Sequence, residues 1–247
     1  MKILLLDIET APNLAYVWGL WDQNIGLNQI EQSGYILCWT AKWYGESAIY
    51  YSSREDKTKQ EMLAPIHALL DEADAVVHYN GSKFDIPWLN REFIEEGFTP
   101  PSPYKEIDLL NTVRSKFKFP SNKLAFVSVA LGLGAKIDTT FDLWLGCINN
   151  KPEAWKQMRK YNIQDVKLLE KLYVKLLPWV SKHANHSLFN YGQRPVCTNC
   201  GSKKLLKRGY SRTLATTYQR YQCSNCGAWC KDNKALDRTA YKTPGIS

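Results

Sequence analysis

No stretch of this sequence approaches the roughly 20 consecutive apolar residues that a membrane-spanning helix needs. Before Asp7 there are one lysine and a handful of apolar residues, too few for a secretory leader, so the expected setting is cytoplasmic. Internal repeats and low-complexity tracts are absent as well, which excludes solenoid and linker-like architectures. Seven cysteines in 247 residues, four of them clustered late, do not form the dense framework of a small secreted scaffold. Acidic residues are scarce at one end only. Residues 191–247 hold 2 Asp+Glu against 11 Lys+Arg, whereas residues 1–190 hold 22 against 21.

The chain's positive excess therefore belongs to its last quarter. A compact basic module on a nearly neutral body suggests an electrostatic handle for nucleic acid, because phosphate contacts supply most sequence-independent affinity. A solubilising tail is the plainer alternative. The length allows one well-filled core of about residues 1–180, a linker over 181–194, a small module over 195–235 and a terminal tail over 236–247.

Along the body, Ile3 to Leu6 predict a short buried strand that ends in Asp7-Ile8-Glu9-Thr10. On a strand Asp7 and Glu9 leave from one face while Ile8 points to the other. Two adjacent acids at the end of a buried strand repel each other and call for a cation, for which a divalent metal suits an all-oxygen site. Residues 11–30, with Tyr16, Trp18 and Trp21, predict a long loop. Strands are expected over 35–43, 47–51, 75–79 and 105–108, and helices over 57–72, 86–94, 123–131 and 162–177. Ser121 is the expected cap of the third helix, residues 135–149 look irregular, and Asn150-Lys151-Pro152-Glu153 reads as a helix start. Strands followed by alternating strands and helices give an α/β class with a mixed sheet covered by helices.

Asp85 closes Asn80-Gly81-Ser82-Lys83-Phe84-Asp85 at a strand-to-helix transition, and Tyr161 and Asp165, four apart, share one helical face. The order D-x-E, N-x-x-x-F-D, Y-x-x-x-D resembles the three exonuclease motifs of the DEDD, or DnaQ-like, 3′-to-5′ exonucleases over residues 1–180. Tyrosine at 161, with Lys160 where the other branch has histidine, is similar to the tyrosine branch (DEDDy). The long aromatic loop and a chain that starts on the first motif resemble free-standing phage-encoded members, which would place the protein in the host cytoplasm. The resemblance implies a ribonuclease H-like fold and two Mg2+ or Mn2+ ions roughly 4 Å apart, one activating water and one stabilising the leaving 3′ oxygen. In that scheme Asp7 bridges both ions, Glu9 and Asp165 complete the first, and Asp85 serves the second. Tyr161, whose phenol has a pKa of ~10, orients the attacking water rather than acting as its base. Plainer roles exist: Asp85 as a helix cap, Tyr161 as a core aromatic, Asn80 as a turn former, Asp108 and Asp138 as capping or surface acids, His67 and His78 as structural histidines, Phe84 as packing.

Cys197-x2-Cys200 and Cys223-x2-Cys226, with 22 residues between the pairs, have the spacing of a tetrahedral structural Zn2+ site and resemble a zinc ribbon. A redox dithiol is the alternative, and Cys230 is a nearby fifth thiol. Cys38 and Cys147 are expected to be buried. Lys203, Lys204, Lys207, Arg208, Arg212 and Arg220, interleaved with Tyr210, Tyr218, Tyr221 and Trp229, suit contact with a single strand. The whole predicts a 3′-to-5′ exonuclease acting on single-stranded DNA or RNA 3′ ends, DNA favoured, with a polymerase or other replication protein as the expected protein partner. An RNA-trimming enzyme and a non-catalytic nucleic-acid-binding or replisome adaptor are the alternatives.

Overall fold

A computed structural model describes residues 1–189 and 195–239. It divides into two compact units, residues 2–173 and residues 174–247 with Met1. The larger unit is built on β1 (Ile3–Thr10). A two-residue strand β2 (Leu14–Ala15) and β3 (Ile30–Gln32) pair as a small ribbon inside the aromatic loop, which leaves Tyr16, Trp18 and Trp21 exposed. Then follow β4 (Ile36–Trp43), β5 (Tyr50–Ser53), α1 (Lys59–Glu72), β6 (Ala75–His78), α2 (Asp85–Glu95), β7 (Lys105–Asp108), α3 (Leu109–Lys116), α4 (Leu124–Ala130), α5 (Phe141–Ile148) and α6 (Pro152–Leu176).

The sheet runs β5-β4-β1-β6-β7, with β1 antiparallel to β4 and parallel to β6. It is the mixed sheet flanked by helices that the pattern predicts. The central strand has Leu4, Leu5 and Leu6 all buried, as a strand covered on both faces requires. Leu4, Leu6 and Ile8 pack with Trp39, with Met62, Leu63 and Ile66 of α1, and with Leu89 and Phe93 of α2. The opposite face lies under α6, where Asn162 bonds Asp7 and Glu170 pairs with Lys42 at 2.7 Å.

Several local expectations are corrected. The helix start at 150–153 and the helix over 162–177 are one continuous helix, α6. The stretch 135–149 contains α5, and α3 follows β7 without a break because Asp108 ends the strand and caps the helix at Leu110 N, 2.9 Å away. Ser121 is not the cap of α4. That position is Lys123, whose N–H Ser121 Oγ accepts at 3.3 Å.

In the smaller unit β8 (Leu205–Arg212), β9 (Thr216–Cys223) and β10 (Trp229–Arg238) form an antiparallel sheet in the order β10-β9-β8. Residues 181–189 of the expected linker lie in this unit, and His186 N donates to Thr198 O at 2.9 Å. The rest of that linker, 190–194, and residues 240–247 of the expected tail lie outside the described residues. Among the described residues no helix is long and apolar enough to cross a membrane.

Candidate functional site

Alternation along β1 sends Asp7 and Glu9 to the α6 face while Ile8 enters the core on the other. On α6 the 3.6-residue period brings Tyr161, Asn162 and Asp165 over the same spot. One ligand oxygen each from Asp7, Glu9 and Asp165 lie within 4.8 Å of one another. Asp85, the first residue of α2, is buried and its Oδ1 accepts Ile8 N–H at 3.1 Å. Pairing of β1 with β6 ends at Leu5, so the Asp85 carboxylate satisfies a backbone donor beyond the last strand partner. Its side chain is thus turned to β1 rather than spent on a helix cap.

The turn that delivers Asp85 is close-packed. Gly81 lies against the His78 ring so tightly that a Cβ would come within 2.4 Å of it, and Asn80 takes a left-handed φ of 69° with its N–H on Asp108 Oδ1. His78 accepts Gly81 N–H at Nδ1, which leaves the proton on Nε2 to donate to Glu106 Oε2 at 3.2 Å. His78 is thereby structural, as is His67, which bonds Thr99 O and packs on Phe93 and Phe98. Asp108 is a capping acid, Asp138 is exposed, and Phe84 is exposed beside Trp88.

The acids share a hostile environment. Burial, then repulsion from Glu9, Asp85 and Asp165, holds the Asp7 carboxyl well above the usual carboxylate range. Burial followed by Asp165 pushes Glu9 up to about 8. Burial raises Asp85 to about 6 against the pull of His78 and the Ile8 N–H. It raises Asp165 too, against Lys136. Asp165 Oδ1 has no hydrogen-bond donor among the described residues.

Sequence reasoning missed two participants. Lys136 Nζ lies 2.6 Å from Asp165 Oδ2 and donates to Tyr161 OH at 3.3 Å. Burial opposes its charge, but Asp165 outweighs burial and the ammonium is held above its ordinary value. Asn162 is fully buried and its Nδ2 donates to Asp7 Oδ2 at 2.7 Å. Its neighbours Tyr161 and Asp165 carried the motif, and nothing local marked it. The ring of Tyr161 packs edge-on against Trp144, as a core aromatic does, while its hydroxyl faces Lys136 and stays protonated, pushed up to about 12 by burial and then by Asp165. A cleft of about 570 Å3 runs from Lys136 past Tyr79 and Asn80 to Arg114 and Lys123.

An all-oxygen, mutually repelling trio, half-buried at Asp7 and Glu9 and buried at Asp165, with an unpartnered oxygen fits a hard divalent cation such as Mg2+ or Mn2+. In the smaller unit Cys197, Cys200, Cys223 and Cys226 converge, with Sγ–Sγ distances of 3.6 Å (Cys197–Cys226) and 3.7 Å (Cys200–Cys223). A tetrahedral Zn2+ with Zn–S of about 2.3 Å has an S–S edge of about 3.8 Å, so the four thiols fit that ion. Gly201 and Gly227 follow each pair at φ 70° and 81°, closing the turns that aim amides at sulfur. Burial opposes it, but the N–H groups of Cys226 and Asn225 bring Cys223 down to about 7. Cys230 is outside the cluster, and Cys38 and Cys147 are buried in the body. Lys203, Lys204, Lys207, Arg208, Arg212 and Arg220 are all exposed.

Residues 4–177 match the model of a family described as the RNase H superfamily. No curated protein matches the chain in sequence. The fold is similar to the solved structure of the family B DNA polymerase from the hyperthermophilic archaeon Pyrobaculum calidifontis, with a TM-score of 0.55 and 17% identity. The match covers 72% of this chain and 24% of that one, so the chain spans about a quarter of the polymerase's length.

Proposed function

The chain belongs to the RNase H superfamily, and from that premise we propose that it is a metal-dependent 3′-to-5′ exonuclease of the DEDD type, tyrosine branch, acting on single-stranded nucleic acid. The observation that carries the reading is the convergent trio of half-buried Asp7 and Glu9 with buried Asp165, whose charges repel until a multivalent cation joins them. The direction of digestion rests on the resemblance of the three motifs. DNA is placed before RNA as the proposed substrate, a preference supported by the similarity of the fold to part of a DNA polymerase. A polymerase or other replication protein is the matching partner.

Two Mg2+ or Mn2+ ions would supply a lowered water pKa and countercharge at the leaving 3′ oxygen. The remaining work falls to the chain itself. Asn162 fixes the Asp7 carboxylate through one oxygen and leaves the other to face the site. Asp85, tied to Ile8 N–H, keeps its second oxygen for the second ion. Tyr161, protonated at neutral pH, orients water by its hydroxyl and takes no proton. Lys136 balances Asp165, and with Arg114 and Lys123 it lines a cationic cleft suited to a phosphate chain. The four thiols would take one structural Zn2+, whose chemistry is to hold the small unit folded.

Digestion of matched DNA and RNA oligonucleotides, labelled at the 3′ or 5′ end, tests this with Mg2+, with Mn2+ and without divalent ions. The expected result is metal-dependent release of a 3′ label as mononucleotide, faster on DNA. Asp7→Ala and Asp165→Ala should each reduce the rate about 1,000-fold or more, the scale of several kcal/mol of lost charge stabilisation, without unfolding the protein. Full activity in Asp165→Ala, or retention of the label under all three conditions, overturns the proposal.

A further inference from the structure

The three-stranded sheet of the small unit has two faces of different character, and the strand register separates them. Across β9 and β10, Gln222 faces Trp229, Arg220 faces Lys231, Tyr218 faces Ala235 and Thr216 faces Arg238. These positions lie two apart on β9, so they share one face. On β8, Leu206 lies opposite Gln222 and Ser211 opposite Tyr218, which puts both on that face too. The other face carries Tyr221, Gln219 and Thr217 of β9, with Lys207, Tyr210 and Arg212 of β8 opposite them. Cys223, one of the four clustered thiols, belongs to that second face, paired with Leu205.

Charge follows the same division. Asp232 reaches the Tyr221 hydroxyl at 3.5 Å, and Asp237 is registered with Thr217, so both acids of the unit's described residues fall on the cysteine-bearing face. The first face is acid-free and has Arg220, Lys231 and Arg238, all exposed. Every ion pair among the described residues lies in the larger unit, so none of these three cations is neutralised by a carboxylate. Arg220 and Lys231 are moreover directly opposite each other, a like-charge cross-strand pair that works against the sheet. What supports them is aromatic. The Arg220 guanidinium lies 4.7 Å from the Trp229 ring centre and the Lys231 ammonium 4.4 Å from that of Tyr218. Arg220 is further pinned by donating Nε–H to Arg208 O at 3.0 Å.

We propose that this acid-free face, with Arg220, Lys231 and Arg238 as phosphate contacts and Tyr218 and Trp229 as stacking platforms, is the unit's binding surface for a single strand of nucleic acid. Two unneutralised cations side by side, each beside a ring, combine the two chemistries a strand presents, anionic phosphates and π-faced bases, where stacking is tolerant of sequence. Of the cations expected from sequence to contact a strand, Lys207 and Arg212 lie on the other face, and the proposed surface leaves them out. The inference rests on the nucleic-acid reading above, and deepens it by naming the surface.

The test uses the full chain carrying Asp7→Ala, which prevents digestion, with its zinc in place. Binding of a fluorescein-labelled oligothymidylate of about 20 nucleotides is followed by anisotropy over a range of salt. The double variant Arg220→Gln/Lys231→Gln should weaken binding about 10-fold or more at ~0.1 M salt and flatten the log–log salt slope by about 1.4, the share of two single-strand phosphates. Trp229→Leu should weaken it at least about 5-fold with the slope unchanged, as loss of stacking does. Arg220→Lys should recover the slope, and Lys207→Gln/Arg212→Gln should leave binding within about 2-fold. Unchanged zinc content and thermal unfolding establish that each variant is folded. Equal loss in the Lys207/Arg212 variant, no loss in the Arg220/Lys231 variant, or equally tight binding to a duplex overturns the proposal. Digestion by the Asp7-containing protein on the same oligonucleotide separates the two readings. Digestion with binding indifferent to these variants refutes the face alone, and binding through the face without digestion refutes the nuclease alone.

Discussion

The two units handle charge in opposite ways. The body draws it inward: half-buried Asp7 and Glu9 and buried Asp85 and Asp165 gather at the end of β1, in an apolar sheet whose other face packs on α1 and α2. The cysteine unit exposes it: nine Lys and Arg among its residues 195–239 stand against two acids, on a sheet with hardly any core. Its fully buried cluster is Cys197, Cys223 and Ala228, with Cys200, Leu205 and Cys226 partly buried around them. Four of those six residues are the clustered thiols, so the unit's small core and its candidate metal site are the same object. The body thus has a large apolar core beside its acidic site, whereas the small unit has so little core that, on the proposed reading, it would depend on a bound ion for its fold.

The largest expected effect breaks the comparison at that dependence. Cys226→Ser, or removal of zinc by a chelator, should unfold the strands β8 to β10 while the body keeps its own cooperative transition. The energy at stake is on the order of 10 kcal/mol, the apparent binding free energy of a structural Zn2+ at neutral pH. Limited proteolysis with mass spectrometry would locate new cuts after residue 195 and none within 2–173. Cuts in both units, or in neither, would show that the division is not one of folding.

A smaller effect has opposite signs in the two units. Glu9, raised to about 8 by burial, has a folded pKa above its unfolded value of about 4.5. The folded body therefore keeps a proton that the unfolded chain releases between those values. Stability from this group is fully present below about pH 4.5 and is lost as pH rises toward 8, by about 1.4 kcal/mol per unit for one proton. In the absence of divalent ions the body's Tm should fall from pH 5 to pH 8, and Mg2+ or Mn2+ should restore most of the loss at pH 8, because it binds the deprotonated trio. The cysteine unit, if it holds the proposed Zn2+, should go the other way, weakening as pH falls and protons compete for its thiolates. Following the two transitions by calorimetry after dialysis against a weak chelating resin distinguishes them. A body whose Tm rises from pH 5 to 8 without divalent ions would contradict the buried-acid account.

What the sequence carried was local geometry. The two-residue alternation of Asp7 and Glu9 and the four-residue spacing of Tyr161 and Asp165 each put side chains on one face, and the four cysteines marked their own cluster by spacing. Partners that meet only after folding left no trace. Lys136 lies in a stretch whose glycines and polar residues suggest a loop, yet it reaches Asp165 across 29 positions. Asn162 lies between two motif residues with no pattern of its own, and only the packing of α6 on β1 brings it to Asp7. The hidden helix α5 carries Gly146 in its interior, a residue that argues against helix on propensity, and the reason is a close approach: a Cβ there would meet Ala154 Cβ at 2.5 Å. The missed α3 shows the same limit, because one residue, Asp108, ends a strand and starts a helix where a turn signal is expected.

The smallest expected effect tests how sharply the body separates site from core within a single residue. Tyr161 has its ring packed against Trp144 and its hydroxyl on Lys136, so Tyr161→Phe removes the second role and keeps the first. Unfolding stability should change by no more than about 1 kcal/mol, the worth of one hydrogen bond. The exonuclease rate should fall about 10-fold, or about 1.4 kcal/mol of barrier, with the pH dependence of the remaining activity unaltered, because a phenol held near 12 carries no titration at neutral pH. A loss as deep as that of Asp165→Ala, or a changed pH profile, would make the hydroxyl a proton carrier instead of a positioning group. An unchanged rate would return Tyr161 to the core alone, and the water at this site would then be oriented by the carboxylates.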